Sequence, residues 1–83
     1  LRDRLNLMSE QDAVITLYRD NDIPNNSAIV STKLAYSYLL DAKGSTVYVP
    51  AWYIGVKNRA TGNVTVKRVN AITRTVMKNR NDN

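Results

Sequence analysis

Three β-rich runs separated by two short glycine turns constrain this chain more than any other feature. Ile29 to Leu40, Thr46 to Lys57 and Asn63 to Val76 each carry β-branched and aromatic residues. Between them stand Asp41-Ala42-Lys43-Gly44 and Arg59-Ala60-Thr61-Gly62, both natural turn chemistry. Connections of that length join antiparallel neighbours only, because a parallel pair needs a crossover of about a dozen residues or more. A helical stretch precedes the runs. The expected fold is therefore α+β, one N-terminal helix packed on a three-stranded antiparallel β-meander, an order that leaves no place for an active site.

The residue inventory narrows function by exclusion. Eighty-three residues make one domain, residues 1–83, near the lower end of what buries a self-sufficient core. The absence of cysteine removes disulfides and thiolate chemistry. The absence of histidine removes the commonest general base, the commonest metal ligand and every Ser-His or Cys-His arrangement. No glycine-rich phosphate loop is present, and no carboxylate pair stands apart from a structural role: Glu10 and Asp12 open a helix and Asp41 belongs to a turn. Asp20-Asn21-Asp22 resembles the start of a calcium loop without its glycine or terminal glutamate, and reads as a helix C-terminal turn. Neither an enzyme nor a cofactor or metal site is expected.

No apolar run approaches the roughly twenty residues of a membrane span. The chain begins at Leu1 with no signal-peptide pattern, so it is expected to be a piece of a longer protein whose targeting or anchoring segment lies outside it. Net charge is +5 but unevenly spread. Residues 1–41 hold four basic and six acidic groups, whereas residues 42–83 hold eight basic groups and only Asp82. Such a basic half suits nucleic acid, an anionic membrane surface or an acidic partner, or is simply a solvated face. Lys57, Arg59, Lys67 and Arg68 are expected around one hairpin end, and the basic residues continue into a tail, 78–83, expected to be disordered.

Ser9 is a good N-cap, with Asp12 three residues on, and Met8 before the cap can staple against Ala13. Helical spacing from Glu10 to about Asn21 places Ala13, Val14, Leu17 and Tyr18 on one stripe, and Pro24 follows the end. In the first strand Val30, Leu34, Tyr36, Tyr38 and Leu40 share a face; in the second, Tyr48, Trp52, Ile54 and Val56 do. In the third, Val64 and Val66 have one parity and Val69 and Ala71 the other, which a β-bulge near Lys67-Arg68 would reconcile. Pro50 argues for a ladder break or an edge within the second strand.

One helix covers one sheet face, yet the second strand is apolar on both. Val47, Val49, Tyr53 and Leu39 are left for the other face. Two readings stay open: they meet a partner or another part of the parent protein, or they form a modestly apolar solvent face under the Leu5-Leu7 segment.

Three segments resemble a known family. Ser9-Glu10-Gln11-Asp12-Ala13-Val14-Ile15-Thr16-Leu17-Tyr18, followed by Asp22-Ile23-Pro24 and Ser27, is similar to the helix and exit loop of YycI-type proteins. Val49-Pro50-Ala51-Trp52-Tyr53-Ile54 is similar to their Pro-x-Trp strand, and Val69-Asn70-Ala71-Ile72-Thr73 to their Val-Asn-Ala-x-Thr-Gly element. Arg74 stands where the pattern usually has glycine, so a positive-φ turn there would be strained or replaced by continued strand. The resemblance implies a PepSY-like helix-plus-meander unit, the C-terminal part of a membrane-anchored extracytoplasmic region in a Gram-positive bacterium. It also implies a role, with the sister protein YycH, in controlling WalK (YycG), the sensor histidine kinase of cell-wall homeostasis.

The expected function is thus a non-enzymatic regulatory interaction domain. Its partners are the kinase and the YycH-type protein, with a homodimer also open, on the extracytoplasmic face of the membrane behind a single-span anchor outside this chain. Val47, Val49 and Tyr53 are the expected contact residues, with Lys57 and Arg59 at the rim. Trp52 is read as core packing, Tyr36 and Tyr38 as cross-strand aromatic pairs, and Asn70 as a residue whose side chain satisfies a bulge or turn. A small nucleic-acid-binding domain using the basic half is an alternative. It is disfavoured because the nearest basic residue to the tyrosines, Lys33, lies on the opposite face of the strand. A PepSY-type peptidase-inhibitory domain is a third reading.

Overall fold

The computed structural model describes residues 7–40, 44 and 46–77, with only the backbone of Tyr38, Leu39, Leu40, Thr46 and Val47. The helix, α1, runs Glu10–Arg19; the strands are β1 Ser27–Leu40, β2 Thr46–Asn58, β3 Val64–Asn70 and β4 Thr75–Met77. They form one antiparallel sheet in the order β1-β2-β3-β4, so the meander carries four strands where three were expected. The expected tail, 78–83, lies outside the described residues.

Each helix end follows from its local chemistry. Ser9 Oγ accepts from the Asp12 backbone N–H at 3.1 Å, and Glu10 and Asp12 put negative charge in the first turn, where the helix dipole favours it. At the other end Asn21 takes φ 60, and the Asp22 N–H donates to the Leu17 carbonyl, closing the last turn. Ala13 and Leu17 are buried as the spacing predicts, but Tyr18 is 53% exposed and Thr16 takes its place in the inner stripe. The Thr16 hydroxyl tolerates this because it donates to the Asp12 carbonyl one turn back.

The helix covers the sheet over β2, β3 and β4. Met8, Ala13 and Leu17 meet Ile54, Val56, Val69 and Ala71, with Val14, Ile23, Ile29, Trp52 and Val76 packed around them. Leu17, Ile54 and Val69 are completely buried, each contributing roughly 1.5–3 kcal/mol of transfer free energy. Two polar ties fix the layer: Trp52 Nε1 donates to the Met8 carbonyl, and Thr32 Oγ1 donates to Glu10 Oε2 at 2.7 Å. Trp52 is thus a packing residue, as expected.

The third run departs from its expected course twice. No bulge occurs at Lys67-Arg68: β2 and β3 pair without interruption from Ala51↔Asn70 to Lys57↔Val64. Val64 and Val66 therefore lie on the face away from the helix, and Val69 on the helix face. The irregularity falls in β1 instead, between Ile29 and Ser31, turning Ile29 toward the core and leaving Val30 half exposed.

The run then breaks after Asn70. The Asn70 side-chain oxygen accepts from the Ile72 and Thr73 N–H groups at 2.8 and 3.0 Å, its carbonyl accepts from Arg74, and β4 folds back on β3. Arg74 keeps the left-handed conformation, φ 64, so the turn is retained with an arginine in it rather than replaced by strand.

Asn58 closes the β2–β3 turn the same way, accepting from Ala60 and Thr61 N–H groups, and Gly62 supplies the positive φ of 80. Of the first turn only Gly44 is described, with φ 86. Beyond Ala51, β3 no longer pairs with β2, so residues 36–40 and 46–50 continue as a two-stranded arm. Pro50 sits at the point where β2 becomes an edge, as its missing N–H requires, and its carbonyl accepts from Ala71. On the arm Tyr38 stands opposite Tyr48, a cross-strand aromatic pair as expected, whereas Tyr36 stands opposite Pro50, and Trp52 pairs with Leu34. Tyr36 and Tyr48 are 74% and 67% exposed.

Candidate functional site

The sheet face opposite the helix is the feature left over once the core is accounted for. Side-chain alternation along the paired strands assigns its occupants row by row. Lys33, Tyr53, Arg68 and Met77 form one row across all four strands; Ser31, Gly55 and Val66 form the next; Ala35, Ala51, Asn70 and Thr75 lie on the other side of the tyrosine. Ser37 and Val49 extend the face along the arm, and Lys57 and Val64 end it at the β2–β3 turn.

Two rows enclose a shallow groove of about 510 Å³, lined by Ser31, Thr32, Lys33, Ala35, Tyr53, Gly55 and Val66. Its floor is low because Gly55 carries no side chain: a Cβ there would run into Ser31 Oγ and touch Val30 and Val64. Val66 on one flank is 50% exposed and Val64 beside it 53%. Arg68 is held over the sheet by a 2.7 Å hydrogen bond from Nη1 to Ser37 Oγ, burying that hydroxyl. Lys33 and Lys57 are exposed and make no ion pair with any described residue.

The expected contact residues divide as follows. Val49, Tyr53 and Lys57 come together on this face. Val47 has the strand position of the same face, but its side chain lies outside the described residues. Arg59 belongs to the β2–β3 turn, its N–H bonded to the Asn26 carbonyl, and flanks the face rather than lining it. The expected cluster of Lys57, Arg59, Lys67 and Arg68 is split by the pleat: Lys67 pairs with Ile54 on the helix side, while Arg68 pairs with Tyr53 on the other. Leu7 to Ser9 run on the helix side, where the Met8 N–H donates to the Ala71 carbonyl; Leu5 lies outside the described residues.

Lys33, Ala35, Gly55 and Val66 line the groove, with Arg68 beside Tyr53 on the same face, and none of them was anticipated as a contact residue. A signal for Lys33 existed in the chain: pairing Leu40 with Thr46 across the first turn carries Lys33 opposite Tyr53.

The groove offers an aromatic ring, small apolar side chains and flanking cations. Among the described residues no group of three or more carboxylates could hold a metal ion, and no helix is long and apolar enough to cross a membrane. An uncovered, partly apolar face of this kind is a surface that a second body can cover. The family model described as YycI protein matches residues 1–72, and the chain belongs to the YycI family, regulatory accessory proteins of the YycG/WalK two-component system. Neither a curated protein nor a solved structure matches it significantly.

Proposed function

We propose that this chain is a non-enzymatic regulatory module that modulates a cell-wall sensor histidine kinase of the WalK (YycG) type through protein–protein contacts outside the membrane. The helix-free sheet face docks onto a partner domain, either the kinase or its YycH-type sister protein, and the contact shifts the kinase's signalling equilibrium. Single-span anchoring upstream of this chain would hold it beside its partners.

The observation that carries the reading is the convergence of Val49, Tyr53 and Lys57 on one uncovered face, in a chain of the YycI family. Half-exposed Val64 and Val66 enlarge the apolar surface there, which has no covering layer among the described residues. Chemistry is not needed to explain any side chain on it. Val47 extends the contact along the arm and Arg59 borders it at the turn.

The test is co-purification of the kinase and of the YycH-type protein with the membrane-anchored parent of this chain, comparing wild type with Val49→Ala/Tyr53→Ala. Loss of both partners from a folded variant is the expected result. Undiminished recovery overturns the assignment of this face.

A further inference from the structure

We propose that the groove on the helix-free face takes an acidic amphipathic helix of a partner protein, an inference that rests on the interaction reading above and names the chemistry of its ligand.

Charge distribution is the first support. All four described carboxylates, Glu10, Asp12, Asp20 and Asp22, lie on α1 or its exit turn, on the opposite side of the sheet. The groove face carries none. Instead Lys33 and Arg68 stand on either side of Tyr53 in one cross-strand row, and Lys57 stands at the end of the same face. Neighbouring strands are about 4.8 Å apart, so Lys33 and Arg68 bracket the ring across roughly 10 Å. Lysine stems lie along apolar surface while their ammonium groups reach outward, so carboxylates flanking an apolar stripe would meet them at the rim.

The second support is shape. The uncovered surface is a sheet face, not an edge, and a face is covered by a layer rather than extended by a strand. This sheet already accepts such a layer on its other side. There α1 lays a buried stripe of Ala13, Thr16 and Leu17 on β2–β4 and keeps Glu10 and Asp12 at the border, with Glu10 reaching Thr32 on β1. The groove repeats the conditions on the opposite side: a floor lowered at Gly55, apolar walls at Ala35, Tyr53 and Val66, and a hydrogen-bonding hydroxyl at Ser31. The pairing of groove and lysines favours a protein helix over a phospholipid surface or a nucleic acid, because the cations border an apolar trough instead of forming a continuous basic stripe.

The experiment is an amide-resolved NMR titration of this chain with two synthetic peptides of about 16 residues. They share an apolar Leu/Ala stripe and differ only in a Glu-lined or Lys-lined polar face. The Glu peptide is expected to bind saturably, with shift changes concentrated at Lys33, Ala35, Tyr53, Gly55 and Val66, and the Lys peptide about tenfold more weakly or worse. Lys33→Glu/Lys57→Glu, two exposed substitutions, should reverse that preference, and Val66→Asp should weaken both peptides; a dispersed amide spectrum verifies the fold of each variant.

Equal affinity for the two peptides, shifts centred on α1 or the arm, or displacement of the Glu peptide by phosphatidylglycerol vesicles or a single-stranded oligonucleotide would overturn the proposal. A concentration-dependent shift of the same amides without peptide would also overturn it, by showing that a second copy fills the groove. If the peptides fail while Val49→Ala/Tyr53→Ala still abolishes kinase recovery, the interaction reading stands and only the acidic-helix chemistry falls. Peptide binding with undiminished kinase recovery does the reverse: the groove takes an acidic helix, and the kinase binds elsewhere.

Discussion

The indole Nε1 of Trp52 donates to the backbone carbonyl of Met8 at 2.8 Å, joining β2 to the segment that leads into α1. The Met8 N–H is itself bonded to the Ala71 carbonyl, and its side chain is buried in the core, so three contacts converge on the residue before the N-cap. The single tryptophan therefore sets where the helix begins relative to the sheet.

Trp52→Phe keeps an aromatic ring but removes the donor, leaving a part-buried carbonyl without that partner. The expected cost is about 1–2 kcal/mol of stability, read as a lower urea midpoint by circular dichroism, since the variant has no tryptophan to report fluorescence. A change below roughly 0.3 kcal/mol would mean that the Met8 carbonyl finds water at no cost.

Asn70 and Asn58 perform the same task at two turns, each accepting two backbone N–H groups with its side-chain oxygen. The sites differ in burial, Asn70 being buried and Asn58 exposed. Asn70→Ala is expected to cost about 2 kcal/mol, because donors inside the fold lose their acceptor, whereas Asn58→Ala should cost no more than about 1 kcal/mol. Asn70→Asp should recover part of the loss, since a carboxylate accepts from the same N–H groups. Thermal melts of the three variants decide it.

Much of this fold was legible because the controlling signals are local. Ser9, Asn21 and Pro24 bound the helix, and Gly44 and Gly62 mark the turns. What was not legible turned on single-residue counts. Pairing Lys57 with Asn63 would have put Val64 and Val66 on the helix face and demanded a bulge at Lys67-Arg68. The real turn holds Asn58 opposite Asn63 through a 2.8 Å hydrogen bond, shifting the register by one and sending both valines to the other face. The fourth strand was hidden for a different reason: Ala71 to Val76 is as β-prone as the residues before it, and only the Asn70 side chain bonding ahead breaks the ladder. The candidate site was half visible. Val49 and Tyr53 stood out as apolar residues on a second face, but the trough between them and Lys33 depends on Gly55 and Val66, whose placement needed the β2–β3 register.

That register makes a direct prediction. Val69 is fully buried under α1 and Val66 is half exposed three residues earlier, so the two valines should respond differently to the same truncation. Val69→Ala is expected to cost about 2 kcal/mol, from lost transfer energy and the cavity left behind, and Val66→Ala within about 0.5 kcal/mol. Equal costs in urea denaturation would contradict the uninterrupted β3 and revive the bulge.

Arg74 adopts φ 64, a conformation that costs a residue with a Cβ about 1–2 kcal/mol and glycine almost nothing. Glycine is also the residue that the similar YycI pattern usually has there. The ion pair of Arg74, Nη1 to Asp12 Oδ2 at 3.9 Å, joins two half-exposed groups and contributes little. Arg74→Gly should therefore stabilise the chain, less the extra unfolded-state entropy of glycine, by a net of about 0.5–1 kcal/mol. Arg74→Ala removes the same ion pair without relieving the backbone, so it should not stabilise. Comparing the two in one denaturation series separates strain from charge: a stabilised glycine variant with an unchanged alanine variant assigns the effect to φ. Matching shifts in both would assign it to the Asp12 pair and contradict a strained turn between β3 and β4.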